Sequence, residues 1–335
     1  MIIYVEAAGC PNTCRHCAAL GHPPQKTYYS IDELRRLSEE WGLLEIYHEP
    51  TAHPDFPAVY DPQIAEPHGG YLVTNGYGLA RRDDYPSVLQ GMQAIGIEYL
   101  AFTLHGLRDH HDWFACRKGA FDDILLAGRR ARQAGFKLVW QVFLDRMNID
   151  QVPLLVEMSL VESGETPLLQ LPFHTVSQRL WIFERLRPSL KDIQNSSLTR
   201  LVDDPKKNIL VEHSPESLTA QAWLQAWRSA PETVTLKHIF EPPTWPPTVE
   251  FEKLTLYFLG DHKVYLETRV TERILVGDLS EGKVAILDHL KNIQPPQYVD
   301  ITPTDIQLSP EQADLLHPSA YSVRYLAIST KLRSH

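Results

Sequence analysis

The chain has 335 residues, of which 43% are hydrophobic, and a formal net charge of −10 at pH 7. This length can bury the core of one large domain or of a large and a small one, and the acidic charge without a long basic run disfavours nucleic acid as a partner. No apolar run is long enough to span a membrane and the first residues lack the pattern of a secretory signal, so we expect a cytoplasmic protein.

Short strand-like apolar runs alternate with longer helical patterns through roughly the first half of the chain, which is typical of βα units around a parallel sheet. Strands are predicted at 2–6, 43–47, 71–73, 99–104, 136–144 and 168–173. Helices are predicted at 28–42, 83–95, 121–134 and 149–162. Ser30 is a good N-cap for the first helix, and Gly96 ends the second. The pattern predicts an α/β fold whose reactive groups lie at the carboxyl ends of the strands.

The signal is weaker beyond residue 190. We predict helices at 197–203 and 214–229, a proline-rich linker or loop at 241–247, a hairpin of 253–258 and 263–267, and a further helix that ends at Lys291. We therefore divide the chain into a main domain, residues 1–235, and a smaller C-terminal α/β extension, residues 236–335.

The strongest chemical signal is the C-x3-C-x2-C spacing of Cys10, Cys14 and Cys17, directly after the first predicted strand. Pro11 and Asn12 favour a turn, which lets several thiolates converge on one centre. Three cysteines are too few for a closed structural zinc site, which needs four ligands. Three thiolates on an iron–sulfur cubane leave one iron open to another ligand, so the spacing favours a cluster with a catalytic role.

Two alternatives stay open from the residues alone. His16 or Cys116 could complete a zinc site, or the three cysteines could be a chance cluster. Cys116 is the fourth cysteine of the chain, and the crowding of the other three does not suggest a disulfide framework.

The cysteine motif resembles the signature of the radical S-adenosylmethionine (SAM) superfamily. The resemblance implies that Cys10, Cys14 and Cys17 bind a [4Fe–4S] cluster, and that His16 lies near the adenine of SAM. In that family the fourth iron binds the amino and carboxylate groups of SAM, and one-electron reduction cleaves SAM to methionine and a 5'-deoxyadenosyl radical. It also implies a partial (β/α)6 TIM-like barrel, followed here by the smaller C-terminal extension.

The segment after the second predicted strand resembles the family's "GGEP" motif. Glu49 and Pro50 match its last two positions, whereas Tyr47 and His48 replace its two glycines. The resemblance implies that Glu49 contacts the SAM ammonium; a solvated loop is the alternative. Because glycine allows close backbone approach to a ligand, the bulky replacements are expected to narrow the pocket or to point at the substrate.

The segments after the next two strands carry hydroxyl and amide groups. Thr74 and Asn75, followed by Gly76, match a family triplet that lies beside the ribose and methionine of SAM, although a plain turn explains them equally well. Thr103 is expected to direct its hydroxyl at the SAM ribose or carboxylate. His105 stands where the family often has an acid and could face the substrate.

The stretch from His110 to Phe121 resembles the family's loop before the fourth helix. Cys116 there could donate a hydrogen atom to a product radical, or be a buried and inert thiol. Arg117 could pair with the SAM carboxylate or a substrate acid, or be solvated. His111 with Asp112 is interpreted as a helix-entry cap.

These motifs predict a radical SAM enzyme that abstracts a hydrogen atom from a small-molecule or peptide substrate in a biosynthetic pathway. A flavodoxin- or ferredoxin-type donor would reduce the cluster. The C-terminal extension resembles an auxiliary-cluster (SPASM/twitch-like) domain without its cysteines, so we expect one cluster only. The alternative is a non-catalytic iron–sulfur or zinc-binding protein on the same scaffold.

Overall fold

The structure is a computed structural model. It describes residues 1–15, 28–46, 48–66, 69–170, 196, 210–213, 216–219, 254–266 and 274–293. The predicted helix at 197–203, the proline-rich stretch at 241–247 and the two site residues His16 and Cys17 lie outside these ranges, as does Tyr47.

The described strands form two sheets. In chain order they are β1 (Ile2–Val5), β2 (Glu45–Ile46), β3 (Tyr71–Thr74), β4 (Tyr99–Leu104), β5 (Lys137–Phe143), β6 (Leu168–Gln170), β7 (Leu210–His213), β8 (Glu216–Thr219), β9 (Thr255–Phe258), β10 (Lys263–Leu266) and β11 (Ile274–Asp278). One sheet has the order β11-β10-β9-β1-β2 and the other the order β3-β4-β5-β6-β7-β8.

Parallel pairing dominates the six-stranded sheet, whereas the five-stranded sheet has two parallel and two antiparallel pairs. β1 runs parallel to β2 and to β9, and β3 to β7 run parallel to one another in chain order. The antiparallel pairs are β7 with β8, β9 with β10 and β10 with β11. Parallel neighbours bring their carboxyl ends to one edge of a sheet, and the candidate site is built there.

The helices connect the strands and cover them. They are α1 (Ile31–Trp41), α2 (Tyr77–Arg81), α3 (Tyr85–Ala94), α4 (Arg108–Ala115), α5 (Ala120–Gln133), α6 (Val152–Ser163) and α7 (Gly282–Asn292), with short 3-10 turns at Pro50–Ala52, Ala58–Tyr60, Ile149–Gln151 and Leu279–Glu281. Ser30 caps α1 as predicted: its backbone N–H donates to the Glu33 carboxylate, and its hydroxyl accepts from the Glu33 N–H.

The sheet of β3 to β5 has two different faces. Leu72, Leu100 and Trp140 point to the helical side and are buried. The packing there is close, because a Cβ added at Gly128 of α5 would lie 2.8 Å from the Trp140 ring. Of the residues that alternate with them, Val73 is exposed and Thr103 is half-buried, whereas Ala101 is buried. This second face is therefore available to line a cavity.

The α/β fold with parallel strands is confirmed, and each of the six predicted N-terminal strands is present. The predicted C-terminal hairpin is confirmed as β9 and β10. The predicted helix at 214–229 is wrong over Glu216–Thr219, which form β8, because antiparallel hydrogen bonds to β7 override the local helical preference. Helices α2 and α4 were not predicted.

The division at residue 235 stays a prediction. The described part of the C-terminal segment does not stand apart from β1, because β9 pairs with β1 over residues Ile2 to Val5. Across the described ranges, no helix combines the length and apolar character that crossing a membrane requires.

Candidate functional site

The carboxyl ends of β3, β4 and β5 and the cysteine loop enclose a cavity of about 440 Å³. Six of the residues that the sequence selects line it: Cys10, Cys14, Glu49, Thr74, Asn75 and Thr103. They come from positions far apart in the chain, and the parallel strand ends bring them together.

The cysteine loop is held against the end of α4. The backbone N–H of Thr13 donates to the carbonyl of Ala115 at 3.2 Å, and that of Arg15 donates to the carbonyl of Phe114 at 2.9 Å. The last carbonyls of a helix lack partners within the helix, so the loop satisfies them. The arrangement of Cys10 and Cys14 therefore depends on α4.

Arg117 fixes the same loop through its side chain. Its Nε donates to the Asn12 side-chain oxygen at 2.6 Å, and its Nη1 pairs with Asp123 at 2.5 Å. Asp123 is buried and also binds Arg81 at 2.7 Å. The Nη2 of Arg117 is buried and has no hydrogen-bond partner within the described part of the chain. A charged donor is thus held beside the cysteine loop with the two N–H groups of Nη2 left to bind an acceptor.

Glu49 is 2% exposed, and its carboxylate lies in the cavity wall. It accepts hydrogen bonds from the hydroxyls of Thr51 and Thr74, the latter at 2.7 Å, and from the backbone N–H of Asn75 at 2.6 Å. Among the described residues, no lysine, arginine or histidine pairs with it. Burial raises the pKa of Glu49, and the three donors oppose that shift.

The triplet Thr74, Asn75 and Gly76 forms both a turn and a part of the cavity wall. The Asn75 side-chain oxygen accepts from the Tyr77 N–H at 2.9 Å, while its amide nitrogen donates to the Cys10 sulfur at 3.1 Å. Gly76 has φ +78°, and an added Cβ would lie 2.9 Å from Ala127. Glycine is therefore required here, and Asn75 links the β3 turn to the cysteine loop.

His105 and His111 also lie in the cavity wall. The backbone N–H of His105 donates to Nδ1 of His111 at 3.2 Å, which leaves the ring hydrogen of His111 on Nε2. Desolvation lowers the pKa of His111 to about 4, so this buried ring is neutral near pH 7.

The predicted helix-entry cap of His111 with Asp112 involves Asp112 only. Its carboxylate accepts hydrogen bonds from the N–H groups of Gly119 and Phe121 at the start of α5.

Gln141 and Phe143 of β5 line the cavity and were not selected from the sequence. The Gln141 amide donates to the Tyr71 hydroxyl at 2.7 Å, and its oxygen accepts from Thr103 at 3.5 Å. The signal that could have found them is the alternation of β5: Gln141 and Phe143 share a face opposite to that of the buried Trp140.

Cys116 is not brought into the cavity. It is exposed at the end of α4 in a left-handed conformation with φ +52°, and its neighbour Ala115 lines the cavity instead. The geometry gives no support to a hydrogen-atom donor at this position. The expectation of a buried, inert thiol is also wrong, because the residue is exposed.

Residues 6–157 match the family model of the Radical SAM superfamily. The first half of this chain carries a radical SAM domain. Members of that superfamily bind a [4Fe–4S] cluster and SAM. The matched residues include Cys10, Cys14, Glu49, Asn75 and Thr103, which line the cavity.

Two further similarities agree with this domain. Over 174 residues the chain is 24% identical to Fe-coproporphyrin III synthase of Methanosarcina barkeri, a match that covers 50% of this chain and 42% of that relative. The chain therefore spans less than half the length of this curated relative. The solved structure "Native anSMEcpe with bound AdoMet" superposes with a TM-score of 0.51 at 12% identity, covering 99% of this chain and 96% of the other, which shows a shared fold.

We expect Glu49→Ala to reduce the free energy of unfolding by about 2 kcal/mol, because three buried donors lose their acceptor. Chemical denaturation of the purified protein measures this difference. Glu39→Ala, on the exposed surface of α1, is the matched control and should change stability by less than about 0.5 kcal/mol. Equal stabilities of the two variants would contradict a structural contribution of the Glu49 hydrogen bonds.

The depressed pKa of His111 makes stability depend on pH. The unfolded chain takes up a proton near pH 6.5, whereas the folded ring resists it down to about pH 4. Stability present above pH 6.5 is therefore lost as the pH falls through this window, by up to about 3 kcal/mol from this group. His111→Gln should flatten the wild-type curve between pH 6.5 and 4 in denaturation experiments; parallel curves would contradict the assignment.

Proposed function

We propose that this chain is a radical SAM enzyme whose cluster and SAM are bound at the cavity described above. Cys10 and Cys14, with Cys17 as the third ligand, hold the [4Fe–4S] cluster. When bound, cluster and SAM supply a 5'-deoxyadenosyl radical that abstracts a hydrogen atom from an unactivated C–H bond of the substrate. The observation that carries the proposal is one cavity wall that combines two of these cysteines with the buried carboxylate of Glu49.

The chemistry of the cysteine loop fits a cluster. The Asn75 amide donates to the Cys10 sulfur, as expected for a site that stabilises thiolate charge. Within the described ranges, no three His, Cys, Asp or Glu side chains are close enough to hold a metal ion, and Cys17 lies outside them. The described residues thus do not form the closed ligand set of a structural zinc site.

Glu49 fits an ammonium ligand. A buried carboxylate is costly unless its charge is compensated, and the described residues supply hydrogen bonds to Glu49 but no cation. The amino group of SAM, bound next to Pro50 and the β3 turn, would complete this compensation. Glu49 therefore binds the ammonium in this proposal, while Thr74 and Asn75 orient its carboxylate.

Arg117 and Thr103 are proposed to bind oxygen atoms of SAM. The buried Nη2 of Arg117 is a charged donor without a described partner, and a carboxylate is the acceptor it binds best. Thr103 of β4 is half-buried and lines the cavity, where its hydroxyl also donates to the Gln141 side-chain oxygen. His16, assigned to the adenine by resemblance, keeps that role as a proposal.

The substrate is proposed to be a small molecule or a peptide of a biosynthetic pathway. The cavity volume of about 440 Å³ lies in the usual range for small-molecule sites, about 300–1,000 Å³. Its β5 wall places the apolar ring of Phe143 beside the amide of Gln141, so it can bind a ligand with apolar and polar parts. A flavodoxin- or ferredoxin-type protein would supply the electron, in the cytoplasm.

The first test is anaerobic reconstitution with iron and sulfide. We expect about four irons per chain in the wild type and formation of 5'-deoxyadenosine when dithionite and SAM are added. Cys14→Ala should lose both. Cys116→Ala should retain the iron, because that cysteine lies outside the cavity. A colourless wild-type protein with one zinc, or unchanged turnover in Cys14→Ala, would refute the proposal.

The second test concerns Arg117. Arg117→Leu should raise the dissociation constant of SAM by about tenfold or more, because a charge-assisted hydrogen bond is lost. Binding is measured anaerobically by titration calorimetry on the reconstituted protein. Arg129→Leu removes an exposed ion pair with Glu162 elsewhere on the surface and is the matched control. If both variants bind SAM as the wild type does, Arg117 does not contact it.

A further inference from the structure

Glu6 is a fully buried carboxylate that directly follows β1, and its two oxygens contact two separate loops. One oxygen lies 2.8 Å from Nδ1 of His48, the residue directly before Glu49. The other accepts the backbone N–H of Gly260 at 3.0 Å, in the turn between β9 and β10. A single side chain thus connects the SAM-binding loop after β2 to the C-terminal hairpin.

His48 needs such a connection because of its backbone conformation. It has φ +73°, a left-handed conformation that favours glycine, and it occupies the place of a glycine in the motif it resembles. The turn at His48 directs Glu49 into the cavity wall, and Glu49 then begins the 3-10 turn Pro50–Ala52. Holding the His48 ring fixes the turn on which the position of Glu49 depends.

The hairpin turn is itself packed against Tyr28 and Tyr29, which precede α1. The Tyr29 hydroxyl donates to the carbonyl of Leu259 at 2.6 Å, and its ring stacks on His262 with centroids 4.7 Å apart. A Cβ added at Gly260 would lie 2.5 Å from the Tyr28 ring. The turn therefore has little freedom to move away from Glu6.

From this geometry we infer that the β9–β10 turn helps to fix the position of Glu49 in the candidate site. Glu6 and His48 are positioning residues: Glu6 holds the ring of His48, and His48 sets the turn that places Glu49. The inference rests on the proposed function, because the group positioned is the one that binds SAM. In this inference the C-terminal hairpin supports the SAM site through Glu6, a role for which it needs no second cluster. A ligand at the cavity would bind more weakly whenever this connection is broken.

The test compares SAM binding in Glu6→Gln, His48→Ala, His48→Gly and the double variant Glu6→Gln/His48→Gly. Dissociation constants are measured anaerobically on reconstituted protein, with thermal midpoints recorded in parallel. His48→Ala loses the Glu6 contact but keeps the left-handed requirement, so its dissociation constant should rise by about tenfold. The dissociation constant of His48→Gly should rise less than that of His48→Ala, because glycine adopts the same φ without strain.

The double variant tests whether Glu6 acts through His48. In the His48→Gly background, Glu6→Gln should change SAM affinity by less than about twofold, although it weakens binding in the wild-type background. Independent effects of the two substitutions on affinity would overturn the proposed connection. Should His48→Ala fail to fold, Glu6→Gln, which keeps the size of the side chain, decides the question.

A control separates positioning from general destabilisation. Leu290→Ala leaves a cavity at a buried position of α7, and Leu290 does not line the candidate site. At a matched loss of thermal stability, this variant should bind SAM as the wild type does. The inference is overturned if Glu6→Gln and His48→Ala also bind SAM within about twofold of the wild type. A wild-type protein that binds no SAM at all would instead refute the proposed function.

Discussion

The burial of the Glu49 carboxyl group is the constraint on which the candidate site depends. A carboxylate that is 2% exposed is stable only if its surroundings supply donors or a cation. Three donors from two strand ends converge on it, and they tie the loop after β2 to the turn after β3. The two segments are so close that a Cβ on Gly78 would lie 2.2 Å from the Thr51 carbonyl. The fold therefore holds the carboxyl group of Glu49 at a defined point, and in the proposed function the ammonium of SAM compensates its charge.

The cysteine loop, which forms the other wall of the site, is held by contacts outside the cavity. The cysteine loop donates to the last carbonyls of α4, and Arg117 binds Asn12 while Asp123 holds Arg117 in place. None of these contacts involves a metal, so the protein itself holds Asn12, Thr13 and Arg15 of the loop in place. Preorganisation of this kind lowers the entropy lost when the site is filled.

The sequence predicted those features that depend on local patterns. The strands follow from apolar periodicity. Cys10 could be selected from the spacing of the cysteines, and Glu49 and Thr103 from the resemblance of their segments to family motifs near the ends of predicted strands. Helix α4 was missed because its buried residues include His110 and His111, which lack an apolar signature and are buried only through contacts such as that between His110 and Asp145. Strand β8 was missed because its pairing with β7 is a tertiary effect.

His48 shows why a departure from a motif cannot be interpreted locally. A bulky residue in place of glycine suggests a narrowed pocket, and the side chain does line the cavity. Its ring, however, is bound to Glu6, and Glu6 is bound to a turn more than two hundred residues further along the chain. The strain of a left-handed histidine is tolerated because long-range contacts determine it, which is the usual condition for such strain at functional sites. A histidine that is bound to Glu6, in the place of a flexible glycine, exchanges local freedom for a connection between the loop after β2 and the β9–β10 turn.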